Sequence, residues 1–259
     1  MPIQFRSKPG LVAYLTIGDP DLATSHAIAL AAIDAGADVL ELGVPFSDPL
    51  ADGPVIQRAS ERALKNGTTL RDVLALAATL RKERPAAGLL IFSYLNPILR
   101  LGLETFCAAA EQAGVDAVLV IDMIVEEAAD YLAALRRHRL APIFLVAPTS
   151  PDERLEKIAA ASQGFVYAIS RTGITGAQKS LTSDAEQLVR RLRRYTQLPI
   201  AVGFGISSPE QFAAVGEFAD AAVIGSALVA TIEQAGPKEA PAAIARFIEG
   251  VRGAPVPTR

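Results

Sequence analysis

Short apolar runs alternate with helix-like segments along nearly the whole chain, and this alternation limits the possible folds more than any other feature. Each run is rich in Val, Leu or Ile, and the segments between the runs carry apolar residues three and four positions apart, which is the helix period. The predicted strands are Leu11–Ile17, Asp38–Leu42, Gly88–Ser93, Asp116–Ile121, Ala141–Val146, Gly164–Ile169, Pro199–Val202 and Asp220–Ile224. The predicted helices are Thr24–Ala35, Thr69–Arg84, Glu104–Ala113, Glu126–Arg137, Asp152–Ala161, Asp184–Tyr195 and Pro209–Val215.

This order of elements predicts an α/β protein that folds as a single (β/α)8 TIM barrel. Repeated β–α units form a parallel sheet, and eight such units close the sheet into a barrel. The 259 residues suit one barrel, and no linker or change in composition marks a second domain. We therefore assign residues 1–252 to one barrel domain. We expect residues 253–259, which include two prolines, to form a flexible C-terminal tail.

Charge and composition exclude several classes of protein. The net charge is −3, which is unlike the basic footprint of a nucleic-acid-binding protein. Cys107 is the single cysteine, so the chain has no internal disulfide, and no group of residues has metal-ligand spacing. The N-terminus does not resemble a signal peptide, and no apolar run is long enough to cross a membrane. We expect a cytoplasmic protein.

A carboxylate stands inside the second apolar run, Val39-Leu40-Glu41-Leu42. Burial of Glu41 raises its pKa and so keeps a proton available near neutral pH, as general acid–base catalysis requires. The alternative is a structural glutamate with a buried partner. Asp48 and Asp52 follow in a loop rich in proline, where an active-site role competes with ordinary turn chemistry, above all for Asp48.

Two glycine-rich turns follow the last two predicted strands. Gly203-Phe204-Gly205 comes after the seventh strand, and Gly225-Ser226 comes after the eighth at the start of a helix. Backbone N–H groups at a helix N-terminus bind phosphate, and barrels of this type often hold phosphate here with a short extra helix after strand eight. The pair of turns therefore predicts a phosphate site, although a single glycine pair would only indicate a turn.

A long polar segment, Ser170–Ser180, follows the sixth predicted strand and has the composition of a lid. Tyr167 precedes it within the strand, where the ring could pack on a flat substrate or simply fill the core. His26 and His138 lie on helical segments and are expected at the surface. Without a histidine for a Ser-His-Asp triad, the chemistry is expected to depend on carboxylates.

Several motifs in order resemble the tryptophan synthase α subunit family, over residues from Leu11 to about Gly250. The matching segments are LVAYLTIGDP (11–20), ELGVPFSDPLADGP (41–54), SYLNPI (93–98), SRTGITGA (170–177), GFGIS (203–207) and IGSALV (224–229). The sequence departs from the family at Met123-Ile124, where the family usually has a proline.

The resemblance implies the retro-aldol cleavage of indole-3-glycerol phosphate into indole and glyceraldehyde 3-phosphate, without a metal or organic cofactor. By family match, Glu41 is the general acid–base residue, Asp52 stabilises charge at the indole N–H, and Tyr167 is an active-site aromatic. Thr175 matches a lid residue that closes toward Asp52. The positions that match phosphate binding are Gly176, Gly203, Phe204, Gly205, Gly225 and Ser226.

The resemblance also implies a partner, a β subunit that carries pyridoxal phosphate and consumes the indole, in an α2β2 heterotetramer. Pro45, Asp48, Asn96 and Pro97 are predicted to lie at the contact with this subunit. Three alternatives stay open at this point: another phosphate-binding barrel isomerase or epimerase, a free-standing indole-3-glycerol-phosphate lyase, and a regulatory subunit that binds substrate without cleaving it.

Overall fold

A computed structural model describes residues 3–169, 178–203 and 205–253. The strands are β1 Gly10–Thr16, β2 Val39–Gly43, β3 Gly88–Ser93, β4 Ala117–Val120, β5 Ala141–Ile143, β6 Leu145–Val146, β7 Val166–Ile169, β8 Ile200–Gly203 and β9 Ala221–Ile224. The helices are α1 Leu22–Asp34, α2 Pro54–Lys65, α3 Leu70–Glu83, α4 Leu95–Leu101, α5 Leu103–Gln112, α6 Ala129–Arg137, α7 Asp152–Ala161, α8 Gln178–Leu192, α9 Pro209–Phe218 and α10 Ser226–Arg252. A short 3-10 helix spans Val125–Glu127.

All strands lie parallel in one sheet, in the order β5-β4-β3-β2-β1-β9-β8-β7-β6. The two end strands are consecutive in the chain, because only Phe144 separates β5 from β6. The Phe144 carbonyl accepts a hydrogen bond from the Tyr167 amide at 3.1 Å, so the ladder continues across this break. β5 and β6 are therefore two halves of the fifth barrel strand, and the predicted eight-stranded barrel is confirmed.

Alternate residues of the strands face the barrel interior and the surrounding helices, as the two-residue period of a strand requires. On β1, Val12 and Tyr14 pack with interior residues of other strands, such as Val39 and Phe92. Leu11, Ala13 and Leu15 belong instead to the larger apolar cluster between the sheet and the helices. Aliphatic residues fill most of both layers, and the interior also holds aromatic rings such as those of Tyr14 and Phe92.

Two helices were not predicted from the sequence. α2 begins with Pro54 at its first turn, directly after the proline-rich loop that follows β2, and α4 carries Pro97 in its first turn. Proline is tolerated in the first turn of a helix because the first amides have no partner within the helix. The sequence pattern predicts a loop for the proline-rich segment before α2 and assigns no element to residues 95–101.

α10 contains a break at Gly236, whose φ of +71° is in the region that favours glycine. The segment before Gly236 follows β9 directly and is the short extra helix predicted after the last strand. α10 ends at Arg252, and the predicted tail lies, apart from Gly253, outside the described residues. Among the described residues, no helix combines the length and apolar character needed to cross a bilayer.

Three aspartates repeat one structural role at the amino ends of the strands. Asp38, Asp116 and Asp220 each precede a strand, and each accepts hydrogen bonds from an arginine and from a backbone amide of the adjacent strand. The amides belong to Leu11, Leu89 and Ile200, and the arginines are Arg6, Arg81 and Arg193. The three similar sequence segments AGADV, AGVDAV and FADAAV thus join neighbouring strands of the barrel.

We expect Asp38→Asn to lower the free energy of unfolding by about 3 kcal/mol, because it leaves a buried guanidinium without its carboxylate. The Asp38 side chain is fully buried, and the Arg252 side chain, which is 6% exposed, lies 3.5 Å from it. Asp34→Asn is the control, since Asp34 pairs with Arg84 at the surface and its loss should cost about 0.5 kcal/mol. Equal urea denaturation curves for the two variants would contradict the role given to Asp38.

Candidate active site

Glu41 lies near the carboxyl end of β2 and points into the barrel, where it is 1% exposed. Its Oε1 atom is buried and has no hydrogen-bond partner in the part of the chain that the structure describes. Burial, and then the nearby Asp52 carboxylate, raise the pKa of Glu41 to about 8. A carboxyl group in this setting holds a proton at neutral pH and can release it, which is the requirement for a general acid.

Asp52 lies in the loop that connects β2 to α2 and is half-buried. Burial raises its pKa to about 6, although a hydrogen bond from the Tyr94 hydroxyl at 3.1 Å lowers it. The same hydroxyl accepts a hydrogen bond from the Ala51 amide at 3.0 Å, so Tyr94 fixes both the loop and its carboxylate. The environment separates the pKa values of the two carboxyl groups. Near pH 7, Asp52 is therefore mostly ionised while Glu41 stays mostly protonated.

Tyr167 projects from β7 into the same space, and its phenol pKa is raised by burial and then by the Glu41 charge. Gly203, at the end of β8, makes room for this ring, since a Cβ there would lie 2.8 Å from the Tyr167 hydroxyl oxygen. The structure therefore brings Glu41, Asp52 and Tyr167 to the carboxyl ends of the strands, where (β/α)8 enzymes have their active sites.

The described part of the predicted phosphate site consists of the turns after β8 and β9. Gly205 has a φ of +81°, and a Cβ there would have no atom within 4 Å in the described structure. Gly225 caps α10, and none of the described side chains hydrogen-bonds to that helix start, whereas the Ser208 side chain caps α9. The open N-terminus at Ser226 is therefore the better place for an anion. Phe204, Thr175 and Gly176 lie outside the described residues.

Three of the residues predicted at the partner contact line one surface cavity of about 520 Å³. Pro45, Asn96 and Pro97 contribute to it from the ends of β2 and β3. Asp48 lies beside a neighbouring cavity together with Leu50, whose side chain is 94% exposed. Pro45 and Asp48 thus lie on the loop after β2, and Asn96 and Pro97 lie in the first turn of α4 after β3.

Sequence reasoning gave no role to Tyr94 or Tyr14, although both were within the motifs that carry the family resemblance. Tyr94 hydrogen-bonds to Asp52, and Tyr14 is the direct neighbour of Glu41 in the register of β1 and β2. The alternation of apolar residues could place Tyr14 inside the barrel, but it could not supply the register that sets it beside Glu41.

Comparison with known proteins points to one family. A family model described as tryptophan synthase alpha chain matches residues 3–253. The chain is 51% identical to the tryptophan synthase alpha chain of Solibacter usitatus over 88% of this chain and 85% of that protein. It is 45% identical to that of Burkholderia thailandensis over 96% and 92% of the two chains.

Solved structures give the same result. The Legionella pneumophila tryptophan synthase subunit alpha superimposes with a TM-score of 0.87 at 36% identity, covering 94% of this chain and 91% of that one. A chain of the Pyrococcus furiosus tryptophan synthase complex gives a TM-score of 0.86 at 38% identity, over 95% and 98% of the two chains. The family model, the sequence relatives and the solved structures agree, and this chain belongs to the tryptophan synthase alpha chain family.

Proposed function

We propose that this chain cleaves indole-3-glycerol phosphate into indole and glyceraldehyde 3-phosphate, with Glu41 as the general acid–base residue. The observation that carries the proposal is the buried Glu41 carboxyl, whose pKa is raised to about 8 beside a second carboxyl group with a lower pKa. Membership of the family supports the reaction. Glu41 supplies the proton transfers that it needs, and Asp52 stabilises the charge that they create.

In the proposed reaction, protonated Glu41 donates its proton to C3 of the indole ring, so the ring nitrogen acquires positive charge. Ionised Asp52 lies where it can accept a hydrogen bond from the indole N–H and stabilise this charge. The glycerol hydroxyl next to C3 then loses its proton, and the carbon–carbon bond breaks with its electron pair returning to the ring. Indole and the aldehyde result, and the proton from the hydroxyl restores Glu41.

The phosphate group of the substrate is proposed to bind at the turns after β8 and β9. The uncapped N-terminus of α10 at Gly225 and Ser226 supports this placement, because its free amides and the helix dipole favour an anion. Gly203 and Gly205 have no side chain that would keep the backbone of the turn after β8 away from the phosphate. By family match, Phe204, Thr175 and Gly176 complete the proposed site.

We also propose that the chain works in the cytoplasm with a pyridoxal-phosphate β subunit, in an α2β2 assembly. A related chain occurs in a solved tryptophan synthase complex, which supports the existence of a partner. Exposed Leu50 and Asp48 lie on the loop after β2. The cavity lined by Pro45, Asn96 and Pro97 lies between this loop and the first turn of α4. Because Asp52 is in the loop after β2, docking would help to order it.

The decisive experiment is to incubate the pure chain with indole-3-glycerol phosphate and to measure indole release from pH 5 to 9, with and without a β subunit. We expect kcat/KM to rise as Asp52 ionises near pH 6 and to fall as Glu41 loses its proton near pH 8. Added β subunit should increase the rate.

The alternatives predict different results. An isomerase or epimerase of sugar phosphates would release no indole, and neither would a regulatory subunit that only binds the substrate. A free-standing lyase would turn over rapidly without the β subunit and would not respond to it.

A further inference from the structure

Tyr14 occupies a central position in the barrel that the proposed mechanism does not yet use. It is 5% exposed, and its Cα is paired with that of Glu41 in the register of β1 and β2. Paired residues on adjacent parallel strands lie about 4.8 Å apart, and both side chains here face the barrel interior. Tyr14 is therefore the nearest interior neighbour of Glu41 on β1.

The Tyr14 ring is held in one orientation by its surroundings. It packs edge-to-face on Phe92, with ring centroids 5.3 Å apart. A Cβ on Gly43 would lie only 2.5 Å from the Tyr14 hydroxyl oxygen. The hydroxyl therefore lies above β2, at the level of Gly43. Since strand side chains lean along the strand and two residues span about 7 Å, a Glu41 side chain that extends toward Gly43 approaches this hydroxyl.

The Tyr14 hydroxyl has an available proton. It accepts a hydrogen bond from the Thr16 hydroxyl at 3.3 Å, and within the described ranges no acceptor for its own proton is found. Burial, followed by the charge of Asp52, raises its pKa far above the ordinary range, so the phenol stays protonated and remains a donor. The unpartnered Oε1 of Glu41 is a matching acceptor.

Three other titratable groups face this pair, and two of them, Asp52 and Tyr94, cannot supply a hydrogen-bond donor to Glu41. Asp52 faces the pair from the loop after β2, and its negative charge raises the pKa of Glu41. Tyr94, at the end of β3, already donates to Asp52. Tyr167 faces the pair from β7 as a second phenol, and the Glu41 charge raises its pKa. Its hydroxyl lies at the end of β8, where a Cβ on Gly203 would meet it at 2.8 Å.

We propose that Tyr14 is a positioning residue, whose hydroxyl donates a hydrogen bond to Glu41 once that carboxyl has given its proton to the substrate. The inference rests on the proposed function of Glu41 and adds the group that stabilises its ionised form. A carboxylate formed inside an apolar barrel needs a donor, and a neutral phenol supplies one without adding charge. Thr16 strengthens the donation, because a hydroxyl that accepts one hydrogen bond donates the next more strongly.

The test is Tyr14→Phe, which removes the hydroxyl and keeps the ring on Phe92. We expect kcat to fall roughly 10- to 100-fold with KM within about twofold, as for loss of a hydrogen bond to a charged group. The fall of activity at high pH should move upward by about one pH unit, because the ionised form of Glu41 is no longer stabilised.

A measurement without turnover isolates Glu41. The infrared band of its protonated carboxyl, found as the difference between the wild-type chain and Glu41→Gln, gives a titration midpoint that should rise in Tyr14→Phe. If the wild-type chain releases no indole, the proposed function fails while this midpoint still decides the role of Tyr14. An unchanged midpoint would overturn the inference, as would a rise in KM without a change in the pH profile.

Tyr131→Phe is the matched control. Tyr131 is also a buried tyrosine, 3% exposed, but it lies on α6, and its hydroxyl donates to the Val118 carbonyl at 3.3 Å. Tyr131→Phe should leave the titration midpoint of Glu41 and the pH profile of activity unchanged. A midpoint shift equal to that of Tyr14→Phe would contradict the inference, because it would show that the loss of any buried phenol has this effect. If Tyr14→Phe does not fold, Thr16→Val decides: a smaller rise of the midpoint supports the inference, and an unchanged midpoint overturns it.

Discussion

Glu41→Gln is expected to reduce indole release about a thousandfold or more and to leave substrate affinity within about threefold. The substitution keeps the shape of the side chain but removes the proton that must reach the indole ring. Binding should persist, because the proposed phosphate contacts and the aromatic walls do not depend on the Glu41 charge. Steady-state kinetics and equilibrium binding of the substrate to the variant give the two numbers.

The same substitution should also stabilise the folded chain at high pH. The pKa of Glu41 is raised from 4.5 to about 8 on folding, so between these pH values the unfolded chain has released a proton that the folded chain retains. The stability of the wild-type chain therefore falls as pH rises through this window, and that of Glu41→Gln does not fall for this reason. The difference at pH 8 should be on the order of a few kcal/mol.

Glu61→Gln provides the control, because Glu61 is an exposed residue of α2 that pairs with Lys65. It should change neither indole release nor the slope of stability against pH. A Glu41→Gln variant with normal turnover would remove Glu41 from the mechanism. A variant that melts at the same temperature as the wild-type chain at pH 8 would show that the carboxyl is not held protonated by burial.

The strand pattern was readable from the sequence because each strand is a continuous apolar run with a fixed period. The eight runs correspond to the eight barrel strands. Even Ala141–Val146, which is split around Phe144, corresponds to a single strand of the barrel. α2 was missed although its segment has the helix period, with Val55, Ile56 and Ala59 on the face that packs against the barrel. The prolines just before the helix, and Pro54 at its start, favoured a loop there.

The candidate site was only partly predictable for a different reason. Glu41 could be recognised because a carboxylate in an apolar strand costs free energy unless it has a partner or a function. The contribution of Tyr14 depends on the strand register and on the space left by Gly43, which belong to the three-dimensional packing. The hydrogen bond from Tyr94 to Asp52 joins two loops 42 residues apart, and no local pattern in the sequence marks such a contact.

Gly205→Asp is expected to weaken the binding of glyceraldehyde 3-phosphate by about 1,000-fold, through two separable effects. The first is backbone strain, because Gly205 has a φ of +81°, which other residues adopt at a cost of about 1–2 kcal/mol. The second is repulsion between the new carboxylate and the phosphate dianion. A side chain at this position meets no atom of the described structure within 4 Å of its Cβ, so it is free to approach the ligand.

Gly205→Asn separates the two effects, because asparagine has nearly the same shape as aspartate, tolerates this φ and carries no charge. We expect it to weaken binding only about tenfold, so the further factor of about 100, or about 3 kcal/mol, measures the charge. That factor should shrink as salt is added, since ions screen the repulsion. Titration calorimetry of both variants at low and high salt gives the comparison. Equal affinities of the Asp and Asn variants would place the phosphate away from the turn after β8 and leave the α10 N-terminus as its only described anchor.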